Sequence, residues 1–191
     1  TRATALAEQD GVKVQSGATN KRYVGTIYLD GSKQVTFNSS VRVVWNESNR
    51  VRWESAVTDG TDSWNYSTAS WRQANGSSSN QVQIMLGRQT EAVSARALSN
   101  AYNASSQGNF ASGVGIDSST VNSAQTFGAV AAVTNDNAVA VATYEGRPAE
   151  GFRDIRWLEH AGSLGGSGTV TWVGDAGVSV LQTGLVVSSW H

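Results

Sequence analysis

Residues 127–144 read FGAVAAVTNDNAVAVATY, two runs of small apolar residues separated by an Asn/Asp-rich turn. Because successive side chains of a strand point to opposite faces, each run presents alanine or valine on both of its faces. A strand that is apolar on both faces needs cover from its own sandwich and from a second element. The stretch therefore predicts a β-hairpin that belongs to a sandwich and also contacts something beyond it.

The second cover has two candidates, a neighbouring subunit or a loop or tail of the same chain. A neighbouring copy is the simpler solution for a compact domain, so we expect a homo-oligomer with this hairpin at or near the contact. The residues expected at the subunit interface are Ala129, Ala131, Val133, Val139 and Val141.

Outside this stretch, apolar residues also recur at every second position, as is typical of a half-buried strand. Val82, Ile84 and Leu86 oppose their neighbours in one run, and Ile155 and Trp157 do so in another. Glycine and Asn/Asp pairs between such runs supply residues that tolerate positive φ, which predicts tight turns. Many short strands without a long amphipathic helix indicate an all-β, antiparallel sandwich.

Composition excludes several classes of partner. The 191 residues carry 14 Lys and Arg against 15 Asp and Glu, a formal charge of -1, which lacks the positive excess that nucleic-acid binding needs. Zero cysteine excludes disulfides and thiolate chemistry. No apolar run approaches the roughly 18 residues of a membrane span, so we expect no membrane insertion.

The sequence contains few residues in arrangements suited to catalysis or metal binding. The two histidines are His160, which alternation places in a structural or surface role, and His191, which is expected to fray. Asp154 and Glu159 could serve a glycosidase, but their odd spacing puts them on opposite faces of a strand. Motifs for a nucleophilic serine, a phosphate loop or a metal are absent, and the acidic stretch at 58–62 reads as a plain turn. We expect no catalytic residue, metal or cofactor.

Aromatic residues offer flat faces for stacking on sugar rings as well as bulk for a core. Five of the seven tryptophans lie in runs that alternate as strands do, which favours a place in the core: Trp45, Trp53, Trp64, Trp71 and Trp157. Trp172, which precedes the turn-like Gly174, and Tyr102, in a polar context, are the glycan-stacking candidates.

Four longer runs resemble the C-terminal domain that recurs in fibre, collar and other minor virion proteins of tailed bacteriophages. They are AEQDGVKVQSGATNKRYVGTIYLDG at 7–31, VVWNESNRV at 43–51, DSWNYSTASWRQANGSSSNQ at 62–81 and TVTWVGDAGVSVLQTGLVVSSW at 169–190. The departures, Glu47-Ser48 where the family often has two tyrosines and Val24 where it has leucine, leave packing intact.

The resemblance implies a phage structural module, often the last segment of a longer polypeptide, with no catalytic residue to carry over. Virion knobs of this kind resemble the jelly-roll heads of tumour-necrosis-factor and complement type, which are homotrimers. We therefore expect an N-terminal connecting segment at 1–20 and a jelly-roll-like head domain at 21–191.

The function expected on these grounds is that of a virion protein, the trimeric head of a fibre or spike that is exposed on the particle and attaches to a host-surface glycan. Its partners would be itself, other virion proteins and that glycan. The alternatives are a capsid decoration or head-fibre protein with a mechanical role, a glycan depolymerase, and a monomeric carbohydrate-binding module.

Overall fold

The structure is a computed structural model that describes residues 4–89, 91–103, 108–128, 130–132, 136–162, 169–175 and 181–191. It is all-β, with 57% strand and no α-helix in those ranges. In chain order the strands are β1 Leu6–Gln9, β2 Val12–Gln15, β3 Ala18–Arg22, β4 Gly25–Ile27, β5 Val41–Arg42, β6 Val44–Asn46, β7 Arg52–Thr58, β8 Ser63–Tyr66, β9 Arg72–Gln73, β10 Gln81–Leu86, β11 Val93–Asn103, β12 Gly108–Ile116, β13 Thr126–Phe127, β14 Val130–Ala132, β15 Ala138–Gly146, β16 Gly151–Ala161, β17 Val170–Val173 and β18 Gly184–Trp190. A 3-10 turn, Ala74–Gly76, follows β9.

Two large sheets face each other. The six-stranded sheet has the order β14-β12-β16-β10-β5, with β9 also on β16, and the seven-stranded sheet has the order β13-β15-β11-β17-β8, with β18 joining β11 to β7. All described pairs are antiparallel except β5 with β10. The predicted all-β architecture with antiparallel sheets is confirmed, and the predicted alternation sets the register, with Val82 opposite Ile155.

The core lies between these sheets and is built by their inward residues. Phe110 of β12 packs edge-on against Trp172 of β17, with ring centroids 5.3 Å apart, and so joins the two sheets. One buried polar pair in the core joins the Trp157 indole, which donates, to the Ser99 hydroxyl at 2.9 Å. Pairing of this kind removes most of the cost of burying a donor.

The predicted hairpin at 127–144 is wrong, because the chain changes sheets inside it. β13 and β15 belong to the seven-stranded sheet, whereas β14 between them pairs with β12 of the six-stranded sheet. Both runs are apolar because each contributes to a different layer of one sandwich. The inward alanines of β15, Ala140 and Ala142, are accordingly buried in the common core.

The N-terminal residues form a separate three-stranded antiparallel sheet, β1-β2-β3. Its first turn needs two consecutive residues in the left-handed region, and Asp10 and Gly11 supply φ of 50° and 77°. Strand β3 crosses the predicted boundary between residues 20 and 21, so the described part of the segment at 1–20 belongs to a sheet. Its connecting role stays a prediction.

Close approach of backbone to a large ring explains one glycine in the sandwich. A Cβ placed on Gly87 would lie 2.0 Å from the Trp45 ring, which is 1% exposed. Trp45 is therefore held in the core as predicted, and so are Trp64 and Trp157, whereas Trp53 and Trp71 are half-buried.

Candidate functional site

The outward side of the seven-stranded sheet carries a patch of uncovered aliphatic side chains, which we name the valine face: Leu98, Val139, Val141 and Val186. Val139 is 49% and Val186 50% exposed. Their strand neighbours point the other way and are buried, as the two-residue period of a strand requires. Leu98 lies opposite Val141 in the β11–β15 ladder, which makes the patch continuous across strands.

A groove that includes Gly184 in its lining runs beside the valine face. Gly184 pairs with Leu98 on one side and with Thr58 on the other. The groove has a volume of about 330 Å³ and is lined by residues that include Ala56, Thr58, Leu98 and Val186. An apolar ridge with an adjoining apolar groove is a shape that another protein surface can fill.

A cationic side chain, that of Arg96, lies within this apolar surface. Arg96 of β11 is exposed and lies opposite Val186 in the ladder with β18. It forms no ion pair with any residue in the described ranges, whereas Arg52 of β7, on the far side of β18, is paired with Glu54 at 3.0 Å. An exposed guanidinium without a partner is available to a carboxylate on another molecule.

The structure places the five expected interface residues in three groups. Val139 and Val141 lie on the valine face. Ala131 lies in the other sheet, where its backbone pairs with Asn109 of β12, so it does not join them. Ala129 and Val133 lie outside the described residues.

Sequence reasoning missed Leu98, Val186 and Arg96. The alternation in ARALSNAYN at 95–103 and in GLVVSSW at 184–190 carries the signal, since both strands bury every second residue. That pattern shows which residues face outward but not that three separate strands bring them together. Their proximity depends on β11 pairing with both β15 and β18, at sequence separations that no local pattern reports.

The prediction that Trp172 is a surface aromatic is wrong. Trp172 is fully buried, because β17 lies between β11 and β8 and its tryptophan points into the sandwich. Tyr102 lies on β11 rather than in a loop; it is half-buried and on the outward side, four residues beyond Leu98. Of the two glycan-stacking candidates, only Tyr102 therefore reaches the surface.

A group of three rings lies at the edge of the sandwich, and we name it the aromatic edge: Trp71, Phe127 and His160. Phe127 of β13 is 51% exposed and meets Trp71 edge-on at 5.6 Å between centroids. Trp71 in turn contacts the His160 ring at 5.0 Å. Burial lowers the pKa of His160, which keeps the imidazole neutral at physiological pH.

The groups considered for chemistry lie apart. Glu159 is fully buried in the sandwich, whereas Asp154 lies on the outward side and is paired with Arg156 at 2.8 Å. The acidic stretch at 58–62 is a turn in which the Asp59 carboxylate accepts bonds from the Thr61 amide and the Asn80 side chain. In the described ranges, no three histidine or acidic side chains come together in a way that could hold a metal ion.

A cavity of about 530 Å³ lies between the N-terminal sheet and the sandwich. Its described lining is mainly apolar, with Leu6, Val24, Met85 and Phe152 among its members and no carboxylate or imidazole. The cavity thus combines apolar side chains with two cations, Lys21 and Arg22.

Neither a scan against models of protein families nor a search of curated proteins finds a match to this chain. Within the described ranges, no helix has the length and apolar character needed to cross a membrane.

Proposed function

We propose that this chain is a non-enzymatic virion protein of a tailed bacteriophage, the homotrimeric jelly-roll-like head of a fibre or spike. It acts on the outside of the particle, where it attaches to a host-surface glycan. Two independent grounds support the proposal: the sequence motifs that resemble minor virion proteins, and the uncovered valine face.

The observation that carries the proposal is the exposure of Val139 and Val186 on the outward side of the seven-stranded sheet. Apolar area contributes roughly 25 cal/mol per Å² when it is removed from water, so a second copy seated on this face is stabilised. Assembly also suits attachment, because linked copies of a weak site act together through their effective concentration.

Val139→Glu tests the assembly. We expect the wild-type chain to sediment as a trimer and the variant as a monomer, because a carboxylate in an apolar contact loses its hydration without gaining a partner. Analytical ultracentrifugation gives the mass, and a far-ultraviolet circular dichroism spectrum of the separated monomer that matches the wild type shows that the fold is intact. The matched control is Val24→Glu. Val24 is 70% exposed and lies outside the valine face. A monomeric wild-type chain would contradict the proposal and favour a single carbohydrate-binding module.

Tyr102→Ala tests the attachment. The tyrosine is the outward aromatic residue that remains from the two candidates, and loss of one stacked ring should weaken glycan binding by about 1 kcal/mol, or roughly fivefold per site. Binding of the trimer to host polysaccharide on a biosensor surface measures the change, and Phe37→Ala, another exposed ring, is the control. Stoichiometric binding to emptied capsids without glycan binding would instead indicate capsid decoration, and release of oligosaccharides would indicate a depolymerase.

A further inference from the structure

We infer that the cavity between the N-terminal sheet and the sandwich, which we name the N-terminal cavity, binds a small amphiphilic anion, an alkyl carboxylate. The apolar lining holds the alkyl chain, and the two cations Lys21 and Arg22 hold the carboxylate. This inference goes beyond the attachment to a glycan proposed above, because it concerns another surface and another class of ligand.

One wall of the cavity is an apolar part of the six-stranded sheet. Met85 of β10 and Phe152 of β16 are Cα partners in the ladder between these strands, and both line the cavity. Met85 points away from the sandwich core, because Ile84 and Leu86 on either side of it point into that core. It is nevertheless 7% exposed. This wall is thus an apolar surface outside the core that is already shielded from bulk water.

Another wall comes from the chain that follows β3. Tyr28 stacks on Phe152, with ring centroids 4.2 Å apart, and so joins this wall to the sheet. Val24 is 70% and Ile27 56% exposed, so both apolar side chains face solvent at the cavity. An alkyl chain that covers them is removed from water together with them, which is the driving force for burying an apolar body.

The uncharged polar groups of the cavity favour an alkyl chain over a sugar. The Tyr23 and Thr26 hydroxyls are hydrogen-bonded to each other, which leaves Thr4, Gln15 and Tyr28 as the other uncharged polar side chains of the described lining. A buried sugar needs hydrogen-bond partners for several hydroxyl groups at once. A volume of about 530 Å³ with a mainly apolar lining is typical of a site for a small apolar body with one polar group.

Two adjacent cations determine the charge of the ligand. Lys21 and Arg22 are both exposed, and neither forms an ion pair within the part of the chain that the structure describes. Arg22 donates to the Ser48 hydroxyl at 3.3 Å, while Glu47, the residue before Ser48, is paired with Arg88 at 2.9 Å. A carboxylate on the ligand supplies the counter-charge, and a guanidinium matches its planar geometry.

A series of ligands tests the alkyl chain and the carboxylate separately. Isothermal titration calorimetry on the full chain measures octanoate, nonanoate and decanoate, all below the concentrations at which they form micelles. We expect one saturable site with a Kd that falls about fourfold for each added methylene. Octanoate should bind about tenfold more tightly than 1-octanol, because its charged group accepts charge-assisted hydrogen bonds, and octylammonium should bind more weakly than either. Equal binding of octanoate and 1-octanol, or an affinity independent of chain length, would overturn the inference.

A pair of double variants tests the cations. Lys21→Gln combined with Arg22→Gln should weaken octanoate binding about tenfold and leave 1-octanol binding unchanged. Lys33→Gln combined with Arg52→Gln is the matched control, since it removes the same charge at two exposed positions outside the cavity lining. An equal loss in both double variants would show a general effect of net charge and would overturn the role of the two cations.

Ile27→Glu tests the apolar wall. It places a carboxylate in the cavity lining and should weaken octanoate and 1-octanol alike, whereas Val121→Glu, at a side chain that is 60% exposed outside the lining, should weaken neither. A circular dichroism spectrum that matches the wild type shows that each variant is folded. Octanoate binding that survives Ile27→Glu, or a wild-type chain that binds none of the carboxylates, would overturn the inference and leave the proposed trimer and its glycan attachment unaffected.

Discussion

Replacing Arg72 with alanine should lower the free energy of unfolding by about 3 kcal/mol, because it leaves a carboxylate buried without its counter-charge. Glu159 is fully buried, and its two oxygens accept one bond each, from Arg72 Nε at 2.6 Å and from the Trp64 indole at 2.7 Å. The Arg72 guanidinium also lies over the Tyr66 ring, 3.9 Å from its centroid, so some packing is lost as well. The value is at the lower end of the range for broken buried pairs because Arg72 remains about one-third exposed.

Urea denaturation measures this loss, and Arg52→Ala is the matched control. The Arg52–Glu54 pair has similar geometry, at 3.0 Å, but both side chains are largely exposed, so its removal should cost less than about 1 kcal/mol. Adding Glu159→Gln to Arg72→Ala should recover part of the stability, since the amide keeps a hydrogen-bond acceptor for Trp64 without a buried charge. Equal losses in the free energy of unfolding for Arg72→Ala and Arg52→Ala would show that the buried pair stabilises the fold no more than the exposed pair.

The pH dependence of the Arg72 variant has a defined sign. Burial raises the pKa of Glu159, and the bonds from Trp64 and Arg72 oppose that rise. Without Arg72 the folded-state pKa is higher still, so the folded variant binds a proton that the unfolded chain has lost. Stability is then present at low pH and is lost as pH rises through the folded pKa. The stability difference between wild type and Arg72→Ala should therefore grow as pH rises above the ordinary titration range of a glutamate.

The alternation of apolar and polar residues predicted the strands well where one face of the strand is buried and the other is exposed to solvent. The alternation at Val82, Ile84 and Leu86 needs only the two-residue period, and the structure buries all three. Pattern failed at residues 127–144 because the same run of small apolar residues fits a hairpin or two strands in opposite layers. Only pairing with distant strands β11 and β12 decides between them.

The misassigned aromatic and histidine residues have a related cause. Trp172 is followed by a glycine-containing turn, which suggested exposure, but its burial depends on the flanking strands β11 and β8, both remote in sequence. His191 was expected to fray because it is the last residue of the chain; instead its backbone exchanges two hydrogen bonds with Val51 and its side chain is 2% exposed. The outward valines of β15 were predicted from sequence, but the strands that complete the valine face were not.

Residues in the motifs that resemble virion proteins have packing roles in this structure. Asn75 has a φ of 54° and donates to the Asp59 carboxylate at 3.1 Å, and Gly25 lies where a Cβ would come within 2.4 Å of the Trp45 carbonyl oxygen. These residues hold turns and close approaches rather than reacting groups. Asn75 and Gly25 thus serve turn formation and close packing within these two motifs.

Lowering the pH from about 6.5 to about 4 should remove about 3 kcal/mol of stability through His191 alone. Burial, followed by the nearby Arg42 charge, lowers the pKa of His191 from 6.5 to about 4, although a backbone hydrogen bond at Val44 acts in the opposite direction. The Ser189 hydroxyl is hydrogen-bonded to Nε2 at 2.6 Å, and Trp53 packs edge-on against the ring at 5.8 Å. The imidazole is thus held neutral inside the fold.

The sign follows from which state binds the proton. Between the two pKa values the unfolded chain protonates His191 and the folded chain does not, so acid favours unfolding, and below about pH 4 the loss levels off. His191→Gln keeps a polar side chain without titrating; its stability relative to wild type should rise by about 3 kcal/mol between pH 7 and pH 4, about 1.4 kcal/mol for each pKa unit of the shift. His160→Gln, at a half-buried histidine against Trp71, should show a smaller change of the same sign. Parallel urea titrations of the three proteins measure this, and a pH-independent difference between wild type and His191→Gln would show that the ring is solvated in the folded chain.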